Sequence, residues 1–147
     1  MQNYKTIRKA SLDDLNQIYL IEKDVFSNEH WTLEMLESEL KNFLGTTTWI
    51  IEESTLILGY CMMRIACNEA NIINMAIKSS RQREGLGSFL LGYVLNQLPI
   101  NSSAFLEVKE GNLSAINLYK RLGFNVINLR NNYYKDGRTA LIMHLKN

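Results

Sequence analysis

The segment NIINMAIKSSRQREGLGSFLLGYVLNQL, Asn71 to Leu98, decides the fold. Its first part, Asn71 to Ile77, is nearly continuous in apolar residues, the pattern of a central buried strand. A polar loop, Lys78 to Glu84, follows. Gly85-Leu-Gly87 then opens a helix whose Leu86, Leu90, Val94 and Leu98 share one stripe, and Pro99 ends it because the residue before proline avoids helical geometry. Glycines at such a junction let backbone N–H groups approach an anion with no Cβ in the way. The helix N-terminus adds about half a positive charge, and Arg83 supplies a mobile cation. Together these features form a cradle for a pyrophosphate. A strand-to-helix turn that merely needs glycine gives the same pattern, and Gly-x-Gly alone does not separate the two. The dinucleotide fingerprint is excluded, since Leu90 stands where its last glycine would be. A P-loop is excluded as well, since no Lys-Ser/Thr pair follows.

Upstream, a strand is predicted over Tyr4 to Lys9. Ser11 reads as a helix N-cap with Asp14 three residues on, followed by Leu15, Ile18, Glu22 and Val25 at helical spacing. Thr32 caps a second helix carrying Leu33, Leu36 and Leu40 on one face. Two β-rich runs, Thr46 to Glu52 and Ile57 to Ala66, are joined by a polar link around Glu53-Ser54 that fits a hairpin. Downstream, Ala104 to Val108 reads as a strand. Asn112 caps a helix to Leu122, which Gly123 stops, and Phe124 to Leu129 and Thr139 to Leu145 read as strands. The order β-α-α-β-β-β-α-β-α-β-β defines an α/β (α+β) domain with a mixed sheet, a single domain over residues 1–147.

The 147 residues are 46% apolar and 21% charged, with a net charge of +1. That is an ordinary globular balance, with no bulk charge pointing to nucleic acid or a membrane surface. No apolar run approaches the roughly 20 residues of a membrane span, and the N-terminus has no apolar stretch of signal-peptide type. Cys61 and Cys67 are six apart in one strand-like segment, which at a strand's rise puts their Cα atoms roughly 20 Å apart, too far for a disulfide. Both read as free thiols in a reducing cytoplasm. The two histidines and two cysteines lack the spacing of metal ligands.

Two further constellations carry chemistry. In Phe105-Leu-Glu-Val-Lys109, alternation puts Phe105, Glu107 and Lys109 on one face and Leu106 and Val108 on the other. A carboxylate in mid-strand is a general-base candidate when partly desolvated; the alternative is a solvated position paired with Lys109. Asn112 and Tyr119 are seven apart, two helical turns, and so lie on one face. A tyrosine hydroxyl can donate a proton to a thiolate, or simply pack at the rim of a core.

In this order and spacing the pieces resemble the GNAT superfamily of N-acetyltransferases. Its Gln/Arg-x-x-Gly-x-Gly/Ala hallmark is matched by Gln82, Gly85 and Gly87. Leu106-Glu-Val108 with Asn112, Ala115, Leu118-Tyr119 and Leu122-Gly-Phe124, then Arg130-Asn-Asn-Tyr-Tyr134, Asp136-Gly-Arg138 and Ala140-Leu-Ile-Met143, narrow the likeness to bacterial ribosomal-protein-alanine N-acetyltransferases. Asp14-Leu15, Ile21-Glu22, Phe26 and Trp31 extend it almost end to end. The resemblance implies a mostly antiparallel central sheet flanked by helices, acetyl-CoA as co-substrate and no metal. It implies direct transfer to a protein N-terminus, that of a ribosomal protein, in the cytoplasm. Met75, Ala76 and Ile77 would pair with the pantetheine arm. Gln82 and the run Arg83, Glu84, Gly85, Leu86, Gly87 and Ser88 would hold the pyrophosphate, and Asn112 would touch the thioester end. Glu107 would be the base and Tyr119 the acid. His30 before Trp31, Ser79-Ser80 and Asn131 depart from the family pattern. Trp31, Tyr133, Tyr134 and Arg138, in two loops, would wall an acceptor groove. A lysine or small-amine acetyltransferase is the alternative. A non-catalytic acyl-CoA sensor would be expected to lack Glu107 or Tyr119, and both are present.

Overall fold

The computed structural model describes residues 4–42 and 45–146. Seven strands, β1 (Lys5–Lys9), β2 (Thr46–Glu53), β3 (Leu56–Ala66), β4 (Glu69–Ile77), β5 (Ser103–Lys109), β6 (Asn125–Arg130) and β7 (Ala140–Lys146), form one sheet in the order β1-β2-β3-β4-β5-β7-β6. Among the described residues the β4–β5 pair is parallel and the rest are antiparallel. Helices α1 (Leu15–Phe26) and α2 (Leu33–Leu40) lie on one face over Ile50, Ile57, Tyr60, Met62 and Ala76. Helices α3 (Leu86–Asn96) and α4 (Leu113–Arg121) lie on the other, over Leu58, Cys61, Met63, Leu106 and Val108. The core is thus two apolar layers separated by the sheet, and β3, buried from Ile57 to Met63, feeds both.

The feature that positions the site is the parting of β4 from β5. The two strands pair only from Glu69↔Ser103 to Ile72↔Leu106, although β4 runs on to Ile77 and β5 to Lys109. At that point β4 carries a bulge: Met63 opposes Ile72 and Met62 opposes Asn74, so Ile73 is an extra residue. A bulge bends its strand and raises local twist. It also breaks the in-out alternation. Ile73 packs with the α1 layer and Asn74, next in sequence, bonds to Glu22 of α1, while Met75 and Ile77 pack with the α3 layer. Beyond the bulge β4 has a neighbour, β3, on one side only.

Some sequence expectations are corrected. β4 is central, as its apolar run predicts, but it is not continuously buried: Ile73, Asn74 and Met75 are half-buried because the parting exposes them. α3 ends at Asn96 rather than continuing to Pro99; Gln97 and Leu98 donate to Val94 O and Leu95 O at 3.0 and 3.2 Å, a tightened last turn that still buries Leu98. A 3-10 turn at Leu12–Asp14 comes between Ser11 and α1, and Asp14 both accepts from the Ser11 N–H at 2.8 Å and pairs with Arg8. Cys67 lies just past β3 in a left-handed turn (φ 51°); it and the buried Cys61 are free thiols. No helix among the described residues is long and apolar enough to cross a membrane.

The two layers predict where truncation is costly. Leu90, fully buried on the inner face of α3, should cost about 2–5 kcal/mol on change to alanine, whereas Leu113, 67% exposed at the start of α4, should change stability by less than about 0.5 kcal/mol. Urea unfolding of both variants checks the contrast.

Candidate active site

The glycine loop leaves the first N–H groups of α3 without partners in the helix, an arrangement that can receive an anion. Gly85 is the N-cap of α3 with φ 80°, a left-handed conformation that glycine adopts without steric cost. The first helical bond runs from Phe89 N to Gly85 O at 3.1 Å, so the N–H groups of Leu86, Gly87 and Ser88 have no partner within the helix. A Cβ at Gly85 would meet nothing within 4 Å, and Gly85, Leu86, Gly87 and Ser88 all line the groove that starts at this loop. Gly87 serves packing instead, since a Cβ there would lie 2.8 Å from Leu118 Cδ1 and 3.7 Å from Met75 Cε. The preceding loop is pinned at several points. Asp24 of α1 accepts from the Ser79 N–H at 2.9 Å and from its hydroxyl, which holds the Asp24 carboxyl below its ordinary pKa. Arg81 bridges Glu84 at 2.9 Å and Glu53 at 3.4 Å. Gln82 Nε2 donates to Ile77 O at 3.0 Å, tying the loop back to the end of β4. Arg83, exposed and at φ 65°, is the cation presented at the loop.

From this loop a groove of about 1000 Å³ runs along the open edge of β4, past Met75, Ala76 and Ile77, to Asn112, Glu107 and Tyr119. A second groove, of about 640 Å³, continues over the sheet face to Phe105, Asn71, Glu69, Arg130 and Ile142. The two share Trp31, Ile72, Ile73, Leu106, Glu107, Tyr133 and Tyr134, so Glu107 stands where they join.

The two titratable groups predicted to do chemistry sit in opposite environments. The Glu107 side chain is 34% exposed and lies 3.4 Å from Arg130 Nη1; its partner is Arg130, not Lys109. Its charge is felt around it. Approach to the Glu107 carboxylate is the first cause that raises the Tyr133 phenol, and burial followed by the Glu107 charge raises Tyr134. Tyr119, packed edge-on against the buried Phe124 at 6.0 Å, is pushed up to about 12, by burial first and then by neighbouring Cys61 and Tyr134. Asn112 caps α4, its side-chain oxygen accepting from Ala115 N at 3.3 Å, and it lines the first groove beside Tyr119.

Three of the four predicted wall residues come together. Trp31 comes from the α1–α2 loop, and Tyr133 and Tyr134, edge-to-face at 5.2 Å, from the β6–β7 loop. Lys109 ties these loops, reaching Glu29 at 3.2 Å and Asp136 at 2.7 Å beneath the Tyr134 ring. Arg138 is not brought in: it lines neither groove, and its Nη1 donates to Glu110 O at 3.4 Å. Glu84 also lines neither, being turned to Arg81. Sequence reasoning missed Glu22, which lines the first groove while only 1% exposed. The available signal was a carboxylate inside the apolar stripe of α1.

Residues 12–124 match the family model described as the acetyltransferase (GNAT) family. The chain is 40% identical over 145 residues to the [ribosomal protein bS18]-alanine N-acetyltransferase of Escherichia coli (strain K12), covering 95% of this chain and 96% of that one. It is 32% identical over 146 residues to a putative enzyme of the same name from Bacillus subtilis (strain 168), covering 97% and 96%. The structure superposes on the crystal structure of the ribosomal-protein-S18-alanine N-acetyltransferase from Escherichia coli with a TM-score of 0.89 and 29% identity, covering 97% and 94%.

The glycine geometry predicts opposite signs for one substitution at two places in this segment. Gly85→Ala should destabilise by about 1–2 kcal/mol, the cost of a left-handed conformation for an L side chain. Gly92→Ala, in mid-helix with nothing within 4 Å of the new methyl, should stabilise by about 0.5–1 kcal/mol. Denaturant midpoints of the two variants measure both.

Proposed function

The chain belongs to the acetyltransferase (GNAT) family and is an N-acetyltransferase, and from that premise we propose direct acetyl transfer from acetyl-CoA to a protein N-terminus, an N-terminal alanine of a ribosomal protein. The observation that carries this reading is the meeting of two grooves at Glu107. One begins at a cradle of free N–H groups, as a pyrophosphate requires, and follows an unpaired strand edge that suits an amide-bearing arm. The other extends across the sheet with room for several extended residues, which suits a polypeptide better than a small amine.

Acetyl-CoA supplies the acetyl group as a thioester. The N–H groups of Leu86, Gly87 and Ser88 with Arg83 hold its diphosphate, and the open edge at Met75, Ala76 and Ile77 orients the arm. Trp31, Tyr133 and Tyr134 orient the acceptor. An α-amine has a pKa of about 7.7–8.0 against about 10.4 for lysine, so freeing lysine costs roughly 3.4 kcal/mol more at one pH. Glu107, open enough to act through a water, is a sufficient base for the α-amine. One N–C bond forms and one C–S bond breaks. The amine's proton leaves by Glu107, and Tyr119, whose phenol keeps its proton throughout the physiological range because burial raises its pKa to about 12, protonates the departing sulfur. Among the described residues that line the grooves there is no nucleophile paired with a base, which supports direct transfer.

A peptide beginning with alanine and carrying an internal lysine should be acetylated, and the same peptide with its N-terminus blocked should not; acetylation of the blocked peptide at a comparable rate assigns the acceptor as lysine. Glu107→Gln should lower turnover by about 10²–10⁴ with acetyl-CoA affinity by calorimetry unchanged, and the deficit should shrink as pH rises past the α-amine pKa. Tyr119→Phe should also lose turnover. Because the raised pKa keeps Tyr119 protonated below about 12, the wild-type kcat should show no alkaline fall between pH 8 and 10; a fall in that window contradicts Tyr119 as the acid.

A further inference from the structure

Packing alone does not account for Glu22. It lies on α1, is 1% exposed, and has no basic side chain within ion-pair distance among the described residues. A buried carboxylate without a counter-ion survives only where donors converge on it. Three do: Tyr60 Oη donates to Oε1 at 2.5 Å, Asn74 Nδ2 to Oε1 at 2.6 Å, and the Trp31 backbone N–H to Oε2 at 2.8 Å.

The origins of these donors are what matter. Asn74 lies in β4 immediately past the bulge, next to Met75 on the open edge, and it reaches α1 only because the bulge turns two successive residues to that face. Trp31 is a wall shared by both grooves and sits in a loop. Tyr60, from β3, buttresses the carboxylate from below and touches neither groove. One carboxylate therefore joins the loop wall of the second groove to the strand edge of the first. We propose that Glu22 is a positioning residue that sets the acceptor wall at Trp31 in register with the cofactor edge of β4, so that the amine arrives at Glu107 in line with the thioester. The proposal rests on the reading of the second groove as the acceptor's. Aliphatic replacement would suit a purely structural site; a carboxylate, by contrast, has the acceptor capacity to hold a backbone N–H and a side-chain amide together.

Glu22→Gln keeps the shape but offers one neutral acceptor oxygen where donors converge on two; holding the Trp31 N–H then requires the Asn74 amide to turn its oxygen toward the new NH2, so the charge-assisted tie is weakened at both ends. The expected result is at least a tenfold fall in kcat/KM for an N-terminal alanine peptide, carried mainly by KM, with the acetyl-CoA dissociation constant within threefold of wild type. Tyr60→Phe removes the buttress and leaves both N–H ties; it should lower the melting temperature while peptide kcat/KM stays within threefold. Peptide kcat/KM within twofold for a folded Glu22→Gln, or an equal loss in Tyr60→Phe, overturns the proposal. Should Glu22→Gln fail to fold, amide hydrogen exchange on the wild type decides. The Trp31 amide should exchange at least a hundredfold more slowly than those of Asn28 and Glu29 in the same loop, and equal rates overturn the tie. A wild type that turns over no N-terminal peptide defeats the functional reading, a different result that is seen before any variant is made.

Discussion

Two parallel strands that stay bonded for four residues and then part leave backbone N–H and C=O groups of one strand without a neighbour in the middle of a sheet. Such groups are costly to bury unpaired, so the parting must be held open by the rest of the fold and satisfied by water or a ligand. Here the bulge at Ile73 starts the divergence. The amphipathic α3, entered through Gly85, stands at the far end of the exposed edge, and α4 brings Asn112 and Tyr119 to its side. The glycine loop, the open edge and Tyr119 therefore depend on one event in the sheet. Changing the length of the β4–β5 pairing would displace them together.

The same geometry gives Glu107 and Tyr119 different surroundings. Along β5, Leu106 and Val108 turn into the α3–α4 layer, so Glu107 faces the opposite, open side. Tyr119 faces inward against Phe124 and beside Cys61, where burial disfavours the phenolate. An exposed carboxylate and a half-buried phenol thus line the same groove in unlike surroundings. Lys109, two residues along β5 from Glu107, ties the α1–α2 and β6–β7 loops to each other through Glu29 and Asp136.

Much of this was legible in the sequence because it rests on local rules. The order of elements followed from periodicity and caps: Thr32 accepts from Met35 N and Asn112 from Ala115 N as their positions predict. The glycine loop was legible because a left-handed N-cap and bare N–H groups require it. What stayed hidden was non-local. A bulge inserts one residue without any signature in Asn71-Ile-Ile-Asn-Met, so neither the parting nor the arrival of Asn74 at Glu22 could be read from alternation. Arg138 shared a loop with Tyr133 and Tyr134, but the turn at Asp136-Gly137 carries it over Glu110 instead, and loop sequence alone does not give that direction. Arg130 as the neighbour of Glu107 depends on pairing across β5, β7 and β6, a contact between strands far apart in sequence.

Likeness to bS18-alanine N-acetyltransferases covers nearly the whole chain, and the chain's own site joins a glycine loop at a helix N-terminus to a second groove over the sheet. The central claim is that the two grooves are one reaction path meeting at Glu107. The most direct test is a crystal structure with a conjugate in which the sulfur of coenzyme A is linked through an acetyl bridge to the N-terminal alanine of a short peptide. The account predicts diphosphate density at the N–H groups of Leu86 to Ser88, the arm paired along Met75 to Ile77, and the peptide leaving past Trp31 and Tyr134 over Phe105, with the linking nitrogen nearest Glu107. A conjugate bound with its peptide leaving by any other face, or with its nitrogen remote from Glu107, would contradict it.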